Sequence, residues 1–225
     1  MFKGQPFKEE LSLRLTAIRR LLDATHSSTA DESEDSSSTD ASRDARGLAI
    51  LLMFACYENL ITSICRRLLE IAQTLRVGNR RLKRGFQLFA IHNQLQSLSN
   101  VSERKIWQET GIRLLDTVLD SRNCSINPDL FPVDGSFMKR SQIELLFQLF
   151  ELGDPGVILK EVWGRLDTVV AERNQIAHGN LTSEEVGRRY SIAEINHLIN
   201  LWEQRWCDFI DHIESSAQTR NFFRI

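Results

Sequence analysis

Arg173, Asn174 and His178 lie within one short segment, Arg173-Asn174-Gln175-Ile176-Ala177-His178-Gly179. A histidine, whose ordinary pKa is near neutral, can take the proton from a ribose 2′-hydroxyl or give one to the leaving oxygen. An arginine can stabilise the charge that grows on phosphoryl oxygens in the transition state. Together they form a set suited to cutting RNA without a metal ion, with Asn174 placed to position the phosphate or the histidine.

Whether these groups can meet depends on the elements that carry them. An apolar stripe at Leu159, Val162, Leu166, Val170, Arg173 and Ala177 predicts a helix over about Val157 to His178, stopped by Gly179 and Asn180. Arg173 then sits on the core side, where an unpaired guanidinium is costly. An upstream helix supplies a partner, because the stripe Leu51, Ala55, Glu58, Thr62, Cys65, Leu69 puts Glu58 amid apolar residues. Glu58 is therefore expected to orient Arg173 across the bundle. His178 follows Arg173 by five positions, about 140° around the helix, so the two do not point the same way. Asn174 and His178, four apart, share a face. The expected site is a cleft at the edge of the bundle, completed by the same helix of a second subunit. The bland alternative is an ordinary helix end, with His178 near the C-terminal dipole and Gly179 as its cap.

The rest of the chain reads as helices too. Leu11, Leu15, Ile18 and Leu22 mark an amphipathic helix over Phe7 to Ala24. Residues 25–42 are mostly Ser, Thr and acids, a composition that cannot offset its ordering entropy, and predict a flexible loop. A long helix follows from about Ser42 to Leu75, ended by Gly78 and Asn79. Shorter helices are expected at Phe86 to Leu98 and Glu103 to Leu119, the latter with Ser102 as its N-cap. Asn127-Pro128, Phe131-Pro132 and Asp134-Gly135 make 121–139 an irregular loop. Helices resume at Gln142 to Leu152 and, after the motif, at two capping boxes, Thr182 with Glu185 and Ser191 with Glu194. The last helix, Ile192 to about Ser215, repeats Ile195, Leu198, Trp202, Phe209 and Ile213. No strand-like alternation survives, so the expected fold is all-α, a single helical domain over 1–225.

Composition narrows the function classes. With 42% hydrophobic and 26% charged residues, the chain is that of a globular protein. Its longest apolar run, Leu48 to Tyr57, falls short of the roughly 20 residues of a membrane span, and the N-terminus lacks a signal-peptide core, so a cytoplasmic location is expected. Cys56, Cys65, Cys124 and Cys207 show no metal-ligand spacing, and neither a metal nor another cofactor is expected. The five acids of 25–42, set aside from a formal charge of -2, leave the remainder at +3, which permits a polyanionic partner. Arg76, Arg80, Arg81, Lys83 and Arg84 are candidates for contacts to an RNA backbone, although such a run is usually a solvated turn. His92, His197 and His212 suggest no site, and Trp202 and Trp206 read first as core or dimer contacts.

The segment RNQIAHG resembles the Arg-(x4–6)-His signature of the HEPN superfamily in its fuller form, Arg-Asn-x-x-Ala-His-Gly. LLMFACYENLI is similar to the upstream helix of the MAE-type and RiboL-PSP-type branch, in which an acidic residue follows an apolar-aromatic run. The stretch from Met138 to Asn174 resembles that branch's approach to the motif, and the likeness covers roughly 45–75 and 138–181. The resemblance implies a helical bundle, a homodimer through the motif helices, and metal-independent endoribonuclease activity on RNA, often in toxin–antitoxin or phage-defence systems with an antitoxin or regulatory partner. By position it gives Arg173, Asn174 and His178 catalytic roles, and Glu58 a supporting one. It also allows a non-catalytic module that binds nucleotide or RNA, or a dimerising scaffold. Some members carry a tyrosine two residues after the histidine that a partner enzyme modifies; here that position is Asn180.

Overall fold

The structure, a computed structural model, describes residues 1–26, 36–99, 101–131 and 138–225, with 36–39 described as backbone only. Its helices are α1 (Gln5–His26), α2 (Ser36–Thr74), α3 (Arg84–Ala90), α4 (His92–Leu98), α5 (Glu103–Lys105), α6 (Gly111–Leu119), α7 (Arg140–Leu149), α8 (Pro155–Ala177), α9 (Ser183–Gly187) and α10 (Ile192–Ser216). No strand occurs among the described residues, so the fold is all-α as the sequence indicates. By length and composition α2 could cross a membrane, yet in the bundle it is the central post against which α1, α8, α9 and α10 pack.

The helical periodicities explain the packing. Leu11, Leu15, Ile18 and Leu22 of α1 are buried, as their spacing requires. From α10, Ile195, Leu198, Trp202, Phe209 and Ile213 are buried together with Ile199, Trp206 and Ile210. Trp202 and Trp206 are core residues: Tyr57 of α2 stacks on Trp206 at 4.8 Å between ring centroids and meets Trp202 edge-on at 5.8 Å. The Tyr57 hydroxyl donates to the Met138 carbonyl at 2.8 Å, so this buried oxygen is not left unpaired.

Several expected boundaries move. Thr25 and His26 still belong to α1, and α2 already begins at Ser36, so helix occupies both described ends of the segment expected as a loop; residues 27–35 lie outside the described residues. The Ser42 hydroxyl is buried and donates to the Thr25 carbonyl at 2.8 Å, a tertiary contact that offsets the weak helix preference of serine. At its other end α2 stops where Arg76 takes a φ of 51°, while Gly78 keeps extended backbone. The helix expected over 86–98 breaks at Ile91. That expected over 103–119 contains a π turn at Ile106–Thr110, and Ser102 precedes it without a side-chain cap bond. Between α6 and α7, Cys124, Ile126 and Phe131 are buried and the Cys124 amide donates to the Val77 carbonyl, which pins the irregular segment; residues 132–137 lie outside the described residues. Both capping boxes form.

Two glycines let α2 and α9 approach backbone to backbone. A Cβ at Gly47 of α2 would lie 1.9 Å from the Ser183 carbonyl oxygen of α9, and one at Gly187 would lie 1.8 Å from the Arg43 carbonyl oxygen. Around this contact Arg46 Nε donates to the Gly187 carbonyl at 3.1 Å, and the Ser183 hydroxyl donates to Asp44 at 2.6 Å. Gly47→Ala gains about 0.5–1 kcal/mol of helix preference but forces backbone apart at a cost of about 1–3 kcal/mol. Urea denaturation is expected to show a net loss for Gly47→Ala. Gly164→Ala in α8, where the added methyl meets nothing within 4 Å, is expected to show a gain of about 0.5–1 kcal/mol.

Candidate functional site

The motif forms the C-terminal end of α8, and its sequence explains that end. Gly179 has a φ of 71°, a conformation costly for other residues. The Asn180 amide donates to the Gln175 carbonyl at 2.9 Å and the Gly179 amide to the Ile176 carbonyl at 3.0 Å. These two bonds define a Schellman motif, with His178 as the C-cap. Ala177 and His178 are exposed, and the apolar side of α8 ends with Val169, Val170 and the partly buried Ile176 rather than with Ala177.

Arg173 occupies the border between core and solvent. Its guanidinium lies over the Phe54 ring of α2, 4.4 Å from the centroid, and Nη1 donates to Asn174 Oδ1 at 2.9 Å. Asn174 thus holds the arginine, where the sequence suggested the phosphate or the histidine. Glu58 does not fill its expected role, because it forms no ion pair or hydrogen bond with Arg173. The reason is its place on α2: Ala55 and Thr62, the neighbours on its supposed stripe, are exposed, and the buried face runs through Met53, Phe54, Tyr57, Leu60, Ile61 and Ile64. Glu58 is half-buried at the edge of that face and has no need of a buried partner. Beside the motif, Lys139, Ser141, Asp167, Val170, Asn174 and Gln175 line a cleft of about 500 Å³ between α8 and the start of α7.

The buried acid near the motif is Glu172, at 5% exposure. It accepts from the Tyr190 hydroxyl at 2.6 Å and from Arg189 Nη1 at 3.4 Å. Sequence reasoning missed it by placing Arg173 on the stripe; Leu166, Val169 and Glu172 continue by threes and would have revealed it. Cys56, Cys65 and Cys124 are buried and Cys207 is half-buried, and burial raises the pKa of Cys207 and pushes that of Cys56 up to about 11, which disfavours the thiolate. No three His, Cys, Asp or Glu side chains come together as a metal site among the described residues.

A family model described as RiboL-PSP-HEPN matches residues 9–217. The chain belongs to the RiboL-PSP-HEPN family. No curated protein and no solved structure matches it. Membership in a HEPN family points to a ribonuclease-like or nucleotide-binding function. In this RiboL-PSP-HEPN chain the match spans α2, the motif helix and α10 together, well beyond the two stretches that carry the sequence resemblance.

The basic cluster lies elsewhere on the RiboL-PSP-HEPN bundle. Lys83 is paired with Glu151 at 2.7 Å, whereas Arg76, Arg80, Arg81 and Arg84 are exposed and form no ion pairs among the described residues. They follow the end of α2, some twenty residues and therefore about 30 Å from Phe54 along that helix. The sequence thus names two separate places, a motif and a cationic turn, which one helix holds apart.

The Glu172 contact is open to direct measurement. Removing the Tyr190 hydroxyl leaves a buried carboxyl short of a donor, so Tyr190→Phe is expected to cost about 1–3 kcal/mol in urea denaturation. Burial first, then the bond to Glu172, raises the Tyr190 pKa above the ordinary value of 10.0. The unfolded chain therefore loses this proton before the folded one does, so stability falls as the pH rises past about 10. Tyr190→Phe should reduce that alkaline slope.

Proposed function

We propose that this chain is a metal-independent endoribonuclease that works as a homodimer through its motif helix, with His178 as the acid–base group and Arg173 as the stabiliser of phosphoryl charge. The observation that carries this reading is the arrangement at the end of α8. An arginine is held by Phe54 and Asn174 at the rim of the core, and the exposed imidazole of His178 stands at the helix cap. A side chain fixed by packing and hydrogen bonding is pre-organised for the charge it is to meet. Asn174 acts through the arginine and is a positioning residue.

Helix geometry supports the dimer. Arg173 and His178 diverge by about 140° on one helix, so a second copy is the simplest way to bring a complementary pair to one phosphate. Leu48 and Leu52, each 38% exposed, and exposed Ala55 leave an apolar strip on α2, on a different side of that helix from Phe54, that a second subunit would cover. The RNA body would extend toward the cationic turn at Arg76, Arg80, Arg81 and Arg84. Within this reading the protein serves as a toxin or phage-defence effector restrained by an antitoxin-type partner.

The test is cleavage of single-stranded RNA in the presence of EDTA. The wild-type protein is expected to cut, and Arg173→Ala and His178→Ala are each expected to lose about 100-fold or more. Phe54→Leu, which removes the ring beneath the arginine, is expected to lose about fivefold, in line with roughly 1 kcal/mol of cation–π attraction. A mixture of the two inactive alanine variants should regain activity, since one composite centre then keeps both groups. RNA left intact by the wild-type protein would assign the motif to binding rather than cleavage.

A further inference from the structure

A second groove, also about 500 Å³, runs between α8 and α10. Its α8 wall is Glu161, Val162, Arg165, Thr168 and Val169, which lie on the opposite side of that helix from the cleft beside Asn174. Val162, Val169 and Leu198 are buried and form an apolar floor, which Leu201 extends.

The charges around this floor are unevenly engaged. Each acid in reach has a partner: Glu161 accepts from Arg205 at 2.8 Å, Glu172 accepts from Tyr190 at 2.6 Å, and Glu194 accepts from the Ser191 amide and hydroxyl at 2.7 and 2.8 Å while keeping a charge that Arg165 feels. The cations are not so engaged. Arg165 is exposed and makes no hydrogen bond or ion pair among the described residues. Arg189 has only its 3.4 Å contact with Glu172, and half of its side chain is exposed. Arg165, Arg189 and Tyr190 all line the groove.

An apolar trough lined by one guanidinium without an ion pair and a second, half-exposed one with a single long contact matches a particular ligand chemistry. Guanidinium forks fit the paired oxygens of a carboxylate, sulfonate or phosphate, and a trough of this volume takes a small molecule. We propose that the groove binds a small amphipathic anion, its head held by Arg165 and Arg189 and its apolar body laid on Val162, Val169, Leu198 and Leu201. The site is separate from the RNA chemistry proposed for the motif, and its test reads binding alone.

The probe is anilinonaphthalene sulfonate, titrated by fluorescence into the full chain, with uncharged phenylnaphthylamine as the body alone and sodium sulfate as the head alone. One saturable site is expected, with the sulfonate bound at least about tenfold more tightly than either fragment. Arg165→Glu should weaken binding of the sulfonate by about tenfold or more while leaving the uncharged dye unaffected. Thr168→Trp, which fills the trough from an exposed position, should abolish both. Circular dichroism confirms that each variant is folded, and Arg113→Glu on α6 serves as a charge control that should change nothing. Equal affinity for the charged and uncharged dyes, undiminished binding by Arg165→Glu, or the absence of a saturable site would overturn the proposal.

Discussion

The backbone contact between α2 and α9 is the constraint from which the motif takes its position. Gly47 and Gly187 let the two helices touch main chain to main chain, where any side chain would hold them apart. α9 begins only six residues after Ala177, so seating it on α2 also fixes where α8 ends. Phe54 lies two turns beyond Gly47 on α2, and its ring receives Arg173. One helix therefore sets both the exit of the motif segment and the support beneath its arginine. Hydrogen bonds from Arg46 and Ser183 tie this contact down, but the missing Cβ atoms make it possible.

Around this seat, charge is treated differently at neighbouring positions. Glu172 is withdrawn into the bundle and satisfied by Tyr190, whereas Arg173 is left at the rim with an aromatic face and an amide oxygen. Among the described residues no carboxylate pairs with the guanidinium, so its positive charge remains directed at whatever anion approaches. A salt bridge to Glu58 would have had the opposite effect. Phe54 and Asn174 hold the side chain without cancelling it.

Much of the fold was legible because the relevant signals are local. The spacing of Leu11, Leu15, Ile18 and Leu22, the two capping boxes and the Gly179 stop all act within a turn or two of the chain, and each appears as read. The helical class and the family follow from the same signals and the motif. What was not legible depends on contacts between distant segments. The start of α2 at Ser36 leans on the contact between Ser42 and Thr25, and the role of Gly47 exists only opposite Ser183. Glu58 was misread because two stripes about 100° apart on α2 are both largely apolar, and only packing shows which one is buried. Glu172 was overlooked for a related reason, since a shift of one residue exchanges it with Arg173 on the core side of α8.

The central position of α2 also has a bearing on synthesis. Its apolar sides are covered by α1, which is made before it, and by α8, α9 and α10, which occupy the last third of the chain. A ribosome making this protein therefore completes α2 about eighty residues before α8 begins and about a hundred before α9 does. During that interval a helix with the length and composition of a membrane span stands open to chaperones, to other nascent chains and to the targeting machinery. The order of elements along the gene thus leaves part of one helix's apolar surface uncovered until the chain is nearly complete.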